Sequence, residues 1–392
     1  MNGVTPLFVF CADLHLEDGA WSTRPGIYGD AYYSFQQIID YCIAQNLPLI
    51  MGGDILEKKQ NLARPIAKLC EGLSRLQQKN VRAYYIQGNH EYDRNAPWLS
   101  VHPWPIHLHD TGVQFGDACI GVWGLDWLPR GEIQAALQQV PADTDILITH
   151  QVWKDFMGTL GRTECELSDV HHVQTVLAGD FHVTKTVEGV NAQGKPVQML
   201  SPGSTAMQDI GETPEKYFFV IGVENNSRKL VFQPVQLKTR RFAYYVVRDL
   251  DTLDELCAGK LSADIKKLDG ELPAEINKPL IRIKFDKQLP DAYLRLITAI
   301  GDSAHVFCDV INDRDTANQV TDRKSGRNDL LSVLAELLPE NSVEYGIAVG
   351  LLAAEDPGKA LDAQFSKFIK DGANAVIEVG SQELGAPSSS SV

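Results

Sequence analysis

The stretch LFVFCADLH, residues 7–15, determines the class of fold that this sequence predicts. Its first six residues are apolar and contain no turn former, which is typical of a buried strand, and the polar residues Asp13 and His15 follow at once. The same arrangement recurs at residues 47–51, 81–86, 119–123, 146–148 and 175–178. Residues 32–45 and 64–79, which lie between these runs, have apolar side chains at helical spacing. Alternating strands and helices predict an α/β fold, in which ligands bind at the carboxyl ends of the strands.

The rest of the chain predicts further units. Hairpins are expected at residues 185–199 and 217–235, and a smaller α+β module of alternating strands and helices at residues 242–311. Helical patterns continue after it, and the serine-rich end predicts disorder. The predicted boundaries are 1–239 for the first domain, 240–315 for the smaller module, 316–380 for a helical C-terminal segment and 381–392 for a disordered tail.

Composition places the chain among globular proteins that remain in the compartment where they are made. Of the 392 residues, 44% are hydrophobic and 22% charged, and no apolar run is long enough for a signal peptide or a membrane span. The seven cysteines are odd in number and form no Cys-x-x-Cys pair. This usage is typical of a reducing cytoplasm and argues against a disulfide framework or a thiolate zinc site.

The net charge of −15 bears on the choice of substrate. A protein that gripped DNA by itself would carry a basic face, so this charge argues against a stand-alone DNA binder. An acidic chain can still act on nucleic acid if metal ions and a basic partner supply positive charge.

Five strand ends carry residues that bind metal ions. They are Asp13-Leu14-His15, Gly52-Gly53-Asp54, Gly88-Asn89-His90-Glu91, Thr149-His150 and Gly179-Asp180-Phe181-His182. Each motif is weak by itself, but their order, each after a buried strand, is a specific signal. Two divalent ions held about 3.5–4 Å apart need a bridging carboxylate with oxygen and imidazole ligands around it. Because no thiolate is present, this set suits manganese, iron, magnesium or zinc and predicts phosphoester hydrolysis.

These five motifs resemble those of the calcineurin-like metallophosphoesterase superfamily, whose fold is a β-sandwich flanked by helices. The resemblance implies that Asp54 bridges two ions and that His90 acts on the scissile phosphate as general acid or transition-state stabiliser. The metal ligands that it implies are Asp13, His15 and His182 for the first ion, and Asn89, His150 and Asp180 for the second.

Asp180 departs from the family pattern, which has histidine at this position. A carboxylate is a competent ligand for a hard ion and favours manganese or magnesium over zinc. The alternative is that Asp180 only orients a neighbour and that the second ion binds weakly. His171 and His172 could substitute for it, although they precede the strand.

Other segments resemble SbcD-type recombination nucleases. They are the continuation from Asp54 to Asn61 and Arg64-Pro65, the stretch Ser201-Pro202-Gly203-Ser204-Thr205 with Gly211-Glu212 after it, and the link Pro234-Val235-Gln236-Leu237 to Arg240-Arg241-Phe242. The glycine-containing turn would let a DNA backbone approach the metals, so Gly203 and Ser204 are predicted to bind substrate, although an ordinary hairpin turn explains them equally well.

This second resemblance implies a manganese-dependent nuclease, an exonuclease on duplex DNA and an endonuclease on single strands, that works in DNA recombination, repair or replication. The partner would be an SbcC-type ATPase, and the module after residue 240 would be a capping domain. Two helical segments, Asp329–Leu338 and Lys359–Ile369, are the candidates for binding that ATPase. The apolar stripe of the first, residues 330–338, would equally well pack on the cap. The implied location is the cytoplasm of a bacterium or of a phage-infected host, without membrane attachment. The resemblance is also compatible with a homodimer.

Two other functions compete with this prediction. One is a phosphodiesterase or phosphatase for small-molecule or protein phosphoesters, which the acidic charge favours. The other is a scaffold without activity, whose second metal site has decayed at Asp180.

Overall fold

The computed structural model describes residues 3–17, 26–58, 63–94, 102–158, 163–225, 227–268 and 272–311. The strands are β1 (Val4–Cys11), β2 (Leu49–Gly52), β3 (Ala83–Ile86), β4 (Ile106–His107), β5 (Thr111–Phe115), β6 (Ile120–Gly124), β7 (Ile146–His150), β8 (Thr175–Gly179), β9 (Lys185–Val190), β10 (Pro196–Ser201), β11 (Tyr217–Glu224), β12 (Leu230–Gln236), β13 (Phe242–Val247), β14 (Leu280–Phe285) and β15 (His305–Val310). The helices are α1 (Asp30–Gln45), α2 (Ala63–Gln78), α3 (Arg130–Leu137), α4 (Lys154–Met157), α5 (Leu250–Glu255), α6 (Leu261–Lys267) and α7 (Ala292–Ile300).

Two six-stranded mixed sheets form the larger part of the fold. The first has the order β12-β11-β1-β2-β3-β4, and the second has the order β5-β6-β7-β8-β10-β9. From β1 to β4 neighbouring strands are parallel, whereas β11 and β12 join the first sheet antiparallel. In the second sheet β6, β7, β8 and β10 are parallel, and the edge strands β5 and β9 are antiparallel. The parallel centres predicted by the buried apolar runs are therefore present.

The sheets pack face to face, with helices on their outer faces. Alternate side chains of a strand point to opposite faces, so β1 serves two cores. Phe8 and Phe10 contribute to the core between the sheets together with Ile148, while Val9 and Cys11 pack against α1 and α2. Helix α3 covers the outer face of the second sheet. This architecture confirms the predicted sandwich flanked by helices.

The carboxyl ends of both parallel centres lie at the same end of the sandwich. Strands β1, β2 and β3 end two or three residues before Asp13, Asp54 and Asn89, respectively, and β7 ends on His150 itself. The His150 Nδ1 atom donates a hydrogen bond of 2.8 Å to the Gly52 carbonyl at the end of β2. This contact joins the two sheets at the point where the candidate ligands meet.

A third sheet, with the order β13-β14-β15, is wholly parallel and has its own apolar core with α5, α6 and α7. The helical stretch between β13 and β14 is divided into α5 and α6, because Gly259 has a φ of 126° that no helix accommodates. The predicted domain boundaries stay predictions. The predicted helical segment and tail, residues 316–392, lie outside the described residues.

Strands β4 and β5 and helix α3 were not predicted from the sequence. Strand β4 has two residues and β5 is mostly exposed, so neither has the apolar run that identifies a strand. Among the residues described, no helix is both long enough and apolar enough to cross a membrane.

Candidate metal centre

Asp54 lies at the centre of the site, and three imidazoles surround its carboxylate. The Asp54 Oδ2 atom is 3.2 Å from His150 Nε2, 3.7 Å from His15 Nε2 and 3.8 Å from His90 Nε2. The Asp54 Oδ1 atom accepts a hydrogen bond of 3.0 Å from the His90 backbone amide. One carboxylate thus faces ligands from both sheets, as a residue that bridges two ions would.

A first group of donors consists of Asp13, His15 and His182. The Nε2 atoms of the two imidazoles are 3.2 Å apart, and the Asp13 Oδ1 atom is 4.0 Å from His182 Nε2. Carboxylates hold the other ring nitrogens: Glu57 Oε2 is 2.6 Å from His15 Nδ1, and Glu212 Oε1 is 3.0 Å from His182 Nδ1. This arrangement fixes the tautomers that direct both Nε2 lone pairs inward, which is the usual support of a metal-binding histidine.

The spacing of these two nitrogens suits a shared cation. Two lone pairs that face each other across 3.2 Å repel unless a proton or a cation lies between them. Nitrogens bound at about 2.1 Å from one ion lie roughly 3–3.5 Å apart, so the observed separation fits a common ion.

A second group forms around His150, which is fully buried. Its Nε2 atom is 3.8 Å from Asp13 Oδ1 and 3.9 Å from Asp180 Oδ1, in addition to its approach to Asp54. A backbone carbonyl, that of Gly52, holds its Nδ1 atom, whereas carboxylates hold His15 and His182. The structure therefore brings Asp180 to the side of the site where the sequence predicts a second ion.

Three atoms of the predicted ligand set are buried without a hydrogen-bond partner among the described residues. They are Asp13 Oδ2, Asn89 Oδ1 and His150 Nε2. Buried polar atoms are nearly always satisfied, and unsatisfied ones need an explanation. Divalent ions would satisfy all three, so the residues present fit a metal centre.

Backbone strain is concentrated at the same residues. Asp13, His15, Asp54 and Asp180 have φ values of 52°, 43°, 48° and 76°. These values lie in the left-handed backbone region, which residues other than glycine rarely adopt. Such strain persists only where the surrounding structure enforces it, and it is frequent at functional sites. Here it turns each side chain back towards the centre directly after its strand.

Charge within the cluster shifts several pKa values. Burial alone would raise the pKa of Asp54, but His150 and the neighbouring imidazoles hold it below its usual range. Burial opposes protonation of His150, yet Asp54 and Asp13 hold the pKa of His150 well above its usual value. Burial raises the pKa of Asp180 to about 6, although His150 opposes the rise. Metal binding to this cluster must therefore displace protons.

His90 is placed differently from the buried imidazoles. Its side chain is 35% exposed, and its Nδ1 atom donates a hydrogen bond of 2.8 Å to the Glu57 carbonyl, which turns Nε2 towards the centre. Hydrogen bonding to Glu57, together with the charge of Asp54, raises the pKa of His90 to about 9. His90 also forms a donor group with His15 and Asp54, and it is only partly buried. Its predicted action on a phosphoester stays a prediction.

Gly203 and Ser204, the predicted substrate-binding residues, are both buried. A Cβ atom on Gly203 would lie 2.9 Å from the His182 carbonyl, and the Ser204 amide donates to that same carbonyl at 3.2 Å. The contacts described for these residues are with the chain itself, and their contact with substrate stays a prediction. His171 and His172 contact Asn191 and Gln193 and belong to none of the donor groups.

Three supporting residues were not assigned from the sequence: Glu57, Glu212 and Lys216. Glu57 follows the Asp54 motif and Glu212 follows the Pro-Gly-Ser stretch, so each was visible only as a nearby acid. Glu57 is held at a pKa of about 2, because hydrogen bonds from His15 and His90 outweigh its burial. Nothing in the spacing of Lys216 marks it, since its partners come together only in the folded chain.

Fold and site together define a metal-dependent phosphoesterase domain: two sheets flanked by helices, with aspartate, asparagine and histidine donors at the carboxyl ends of parallel strands. Comparison with known proteins agrees. A family model described as calcineurin-like phosphoesterase matches residues 6–184, and the two mixed sheets of this part of the chain are consistent with that fold. Enzymes with this domain are hydrolases that use divalent metal ions.

A curated relative gives a narrower likeness. The DNA double-strand break repair protein Mre11 of Haloferax volcanii is 27% identical to this chain over 149 residues, which is 36% of this chain and 33% of that protein. The chain therefore aligns with about one third of that relative.

Proposed function

We propose that this protein is a two-metal-dependent DNA nuclease of the SbcD type, the catalytic subunit of a recombination and repair complex. The observation that carries the proposal is the convergence of His15, His90 and His150 on the Asp54 carboxylate. Similarity to a DNA double-strand break repair protein supports DNA as the substrate. The Pro-Gly-Ser turn and the smaller module after it support the same substrate class.

In this proposal each group of residues has a separate role. Asp13, His15 and His182 would hold one ion, Asn89, His150 and Asp180 the other, and Asp54 would bridge them. Two divalent ions supply a nucleophile from water and neutralise charge that develops on the phosphoester. Manganese or magnesium suits these oxygen and imidazole donors.

His90 would donate a proton to the leaving oxygen or stabilise the charge on the phosphate. Its Nδ1–H is held by the Glu57 carbonyl, so Nε2 faces the site. The raised pKa of His90, about 9, favours the imidazolium, which carries a second proton on Nε2. Because nearly two thirds of its side chain is covered, its orientation is fixed while its outer edge stays accessible.

An ATPase partner with a basic surface would resolve the conflict between the net charge of −15 and a polyanionic substrate. In this proposal the partner supplies the positive charge that grips DNA, and this chain supplies the chemistry. A cytoplasmic location, in a bacterium or a phage-infected host, belongs to the same proposal.

The acidic charge favours a second candidate, a phosphodiesterase or phosphatase for small or protein phosphoesters. One assay separates the two: the purified chain with Mn²⁺, with and without an SbcC-type ATPase, is incubated with end-labelled linear duplex DNA and with an aryl phosphodiester. We expect shortening of the duplex, lost in His90→Ala while Mn²⁺ binding is kept. Hydrolysis of the aryl ester alone, even with the partner present, would contradict the nuclease proposal.

A further inference from the structure

A lysine is buried behind the candidate metal centre. The Lys216 side chain is only 2% exposed, and its ammonium donates hydrogen bonds to Ser204 Oγ at 2.8 Å and to Glu212 Oε2 at 2.6 Å. Lysine is almost never fully buried unless it is paired, because the charge loses its hydration. The two hydrogen bonds, to Ser204 and Glu212, therefore offset part of the lost hydration of this ammonium.

Both partners of Lys216, Glu212 and Ser204, also contact His182, one of the predicted metal ligands. The second oxygen of Glu212, Oε1, is 3.0 Å from His182 Nδ1. Ser204 donates its hydroxyl to Glu212 Oε2 at 3.0 Å, and its amide donates to the His182 carbonyl. A continuous chain of contacts thus runs from Lys216 through Glu212 to the imidazole of His182.

His15, the other imidazole of the first group, has a simpler support. Glu57 reaches His15 directly, and this carboxylate is 23% exposed. Glu212 is 15% exposed, and its Oε2 atom pairs with the ammonium of Lys216. His182 is itself 33% exposed, whereas His15 is 2% exposed. The more exposed imidazole is therefore the one whose carboxylate support is anchored by a buried cation.

We infer that Lys216 is a positioning residue for His182: it fixes the carboxylate of Glu212 so that Glu212 keeps the proton of His182 on Nδ1 and directs Nε2 towards the first ion. Ser204 has a supporting part in the same device, through its hydrogen bonds to both side chains. The inference rests on the proposed function only in requiring that the first group binds a divalent ion; it does not require that DNA is the substrate.

The test is Mn²⁺ binding to the full chain by titration calorimetry, with folding checked by circular dichroism. In Lys216→Met we expect one ion to bind about 10–100-fold more weakly, the range typical of lost outer-shell support, and the other to bind as in the native chain. Lys229→Met is the matched control, because Lys229 pairs with Glu224 at 2.7 Å but is 72% exposed. Native affinity for both ions in Lys216→Met would overturn the inference.

Double variants separate positioning from general stability. If Lys216 acts through Glu212, Lys216→Met weakens ion binding no further in a Glu212→Gln background; additive losses would contradict the relay. The tautomer gives a direct readout: ¹⁵N shifts of labelled histidines should show His182 protonated on Nδ1 in the native chain and mixed in Lys216→Met. If Lys216→Met does not fold, Ser204→Ala decides, with a loss of several-fold expected and unchanged affinity overturning the inference.

These outcomes are distinguishable from failure of the proposed function. If the native chain binds two ions but cleaves no DNA, only the nuclease proposal is contradicted. The role of Lys216 can then still be tested by the same binding measurements. DNA cleavage by the native chain with full ion binding in Lys216→Met removes only the role of Lys216.

Discussion

The two halves of the candidate metal centre are supported in different ways. In the carboxylate-backed half, His15 and His182 are held by the side chains of Glu57 and Glu212. In the glycine-packed half, formed by His150, Asn89 and Asp180, the support is backbone: His150 donates to the Gly52 carbonyl.

Glycines make that backbone support possible. A Cβ atom on Gly53 or on Gly179 would lie 2.4 Å from His150 Nδ1, and one on Gly88 would lie 2.1 Å from Asp54 Oδ1. These distances are far below contact, so no larger residue fits without moving the ligands. The difference teaches that polar side chains orient the histidines of the carboxylate-backed half, whereas the geometry of the glycine-packed half depends on close backbone packing.

Asp54→Asn should have the largest effect, because Asp54 faces both halves. We expect Mn²⁺ affinity to fall by more than about a hundredfold at both positions, beyond the loss typical of outer-shell partners. Phosphodiester cleavage should become undetectable. Asp40→Asn is the control, since Asp40 is 56% exposed and pairs with Arg75 on the surface. Retention of one tight ion in Asp54→Asn would show that Asp54 does not bridge.

His90→Gln should reduce cleavage by about 10²–10⁴-fold, the range typical of a lost general acid, while both ions stay bound. The reason is that the predicted role of His90 lies in proton transfer and not in metal binding. Single-turnover cleavage and calorimetric Mn²⁺ titration of the same preparation measure the two effects. A parallel loss of ion binding would instead make His90 a ligand.

Gly179→Ala should disrupt the glycine-packed half selectively. Overpacking of a buried region destabilises by about 1–3 kcal/mol, and the strain here is directed onto His150. We expect a lower urea midpoint and a weakened second ion, with the first ion nearly unaffected. Gly131→Ala is matched, because a Cβ atom there meets nothing within 4 Å. Equal weakening of both ions would mean that the halves are not independent.

Asp180 should give the smallest effect and a pH signature. Burial raises the pKa of Asp180 to about 6 in the ion-free site, and a carboxyl must be ionised to bind a cation. If Asp180 is a ligand, affinity for the second ion falls as the pH is lowered through about 6, and Asp180→Ala loses roughly tenfold affinity at pH 7.5 together with this pH component. Asp180→His should keep two-ion binding. Equal affinity and equal pH dependence in all three forms would exclude ligation.

Much of the fold could be predicted, since buried parallel strands carry near-continuous apolar runs. β1, β2 and β3 lie within a few residues of the predicted stretches, and both predicted hairpins of the first domain are present. The misses have a common physical cause. Strands such as β4 and β5 are short or exposed, so their position depends on pairing with a neighbour and not on their own composition.

The sequence by itself determined the donor types and their order, because a metal-binding side chain must follow its strand directly and the strand signal is local. Only the tertiary structure decided which donors face each other, since Asp54 and His150 are 96 positions apart and meet through two separate sheets. The same holds for the supporting groups: Lys216 has no local signature, and its burial beside Glu212 and Ser204 follows from packing alone. Local patterns specify chemistry, whereas long-range packing specifies its geometry.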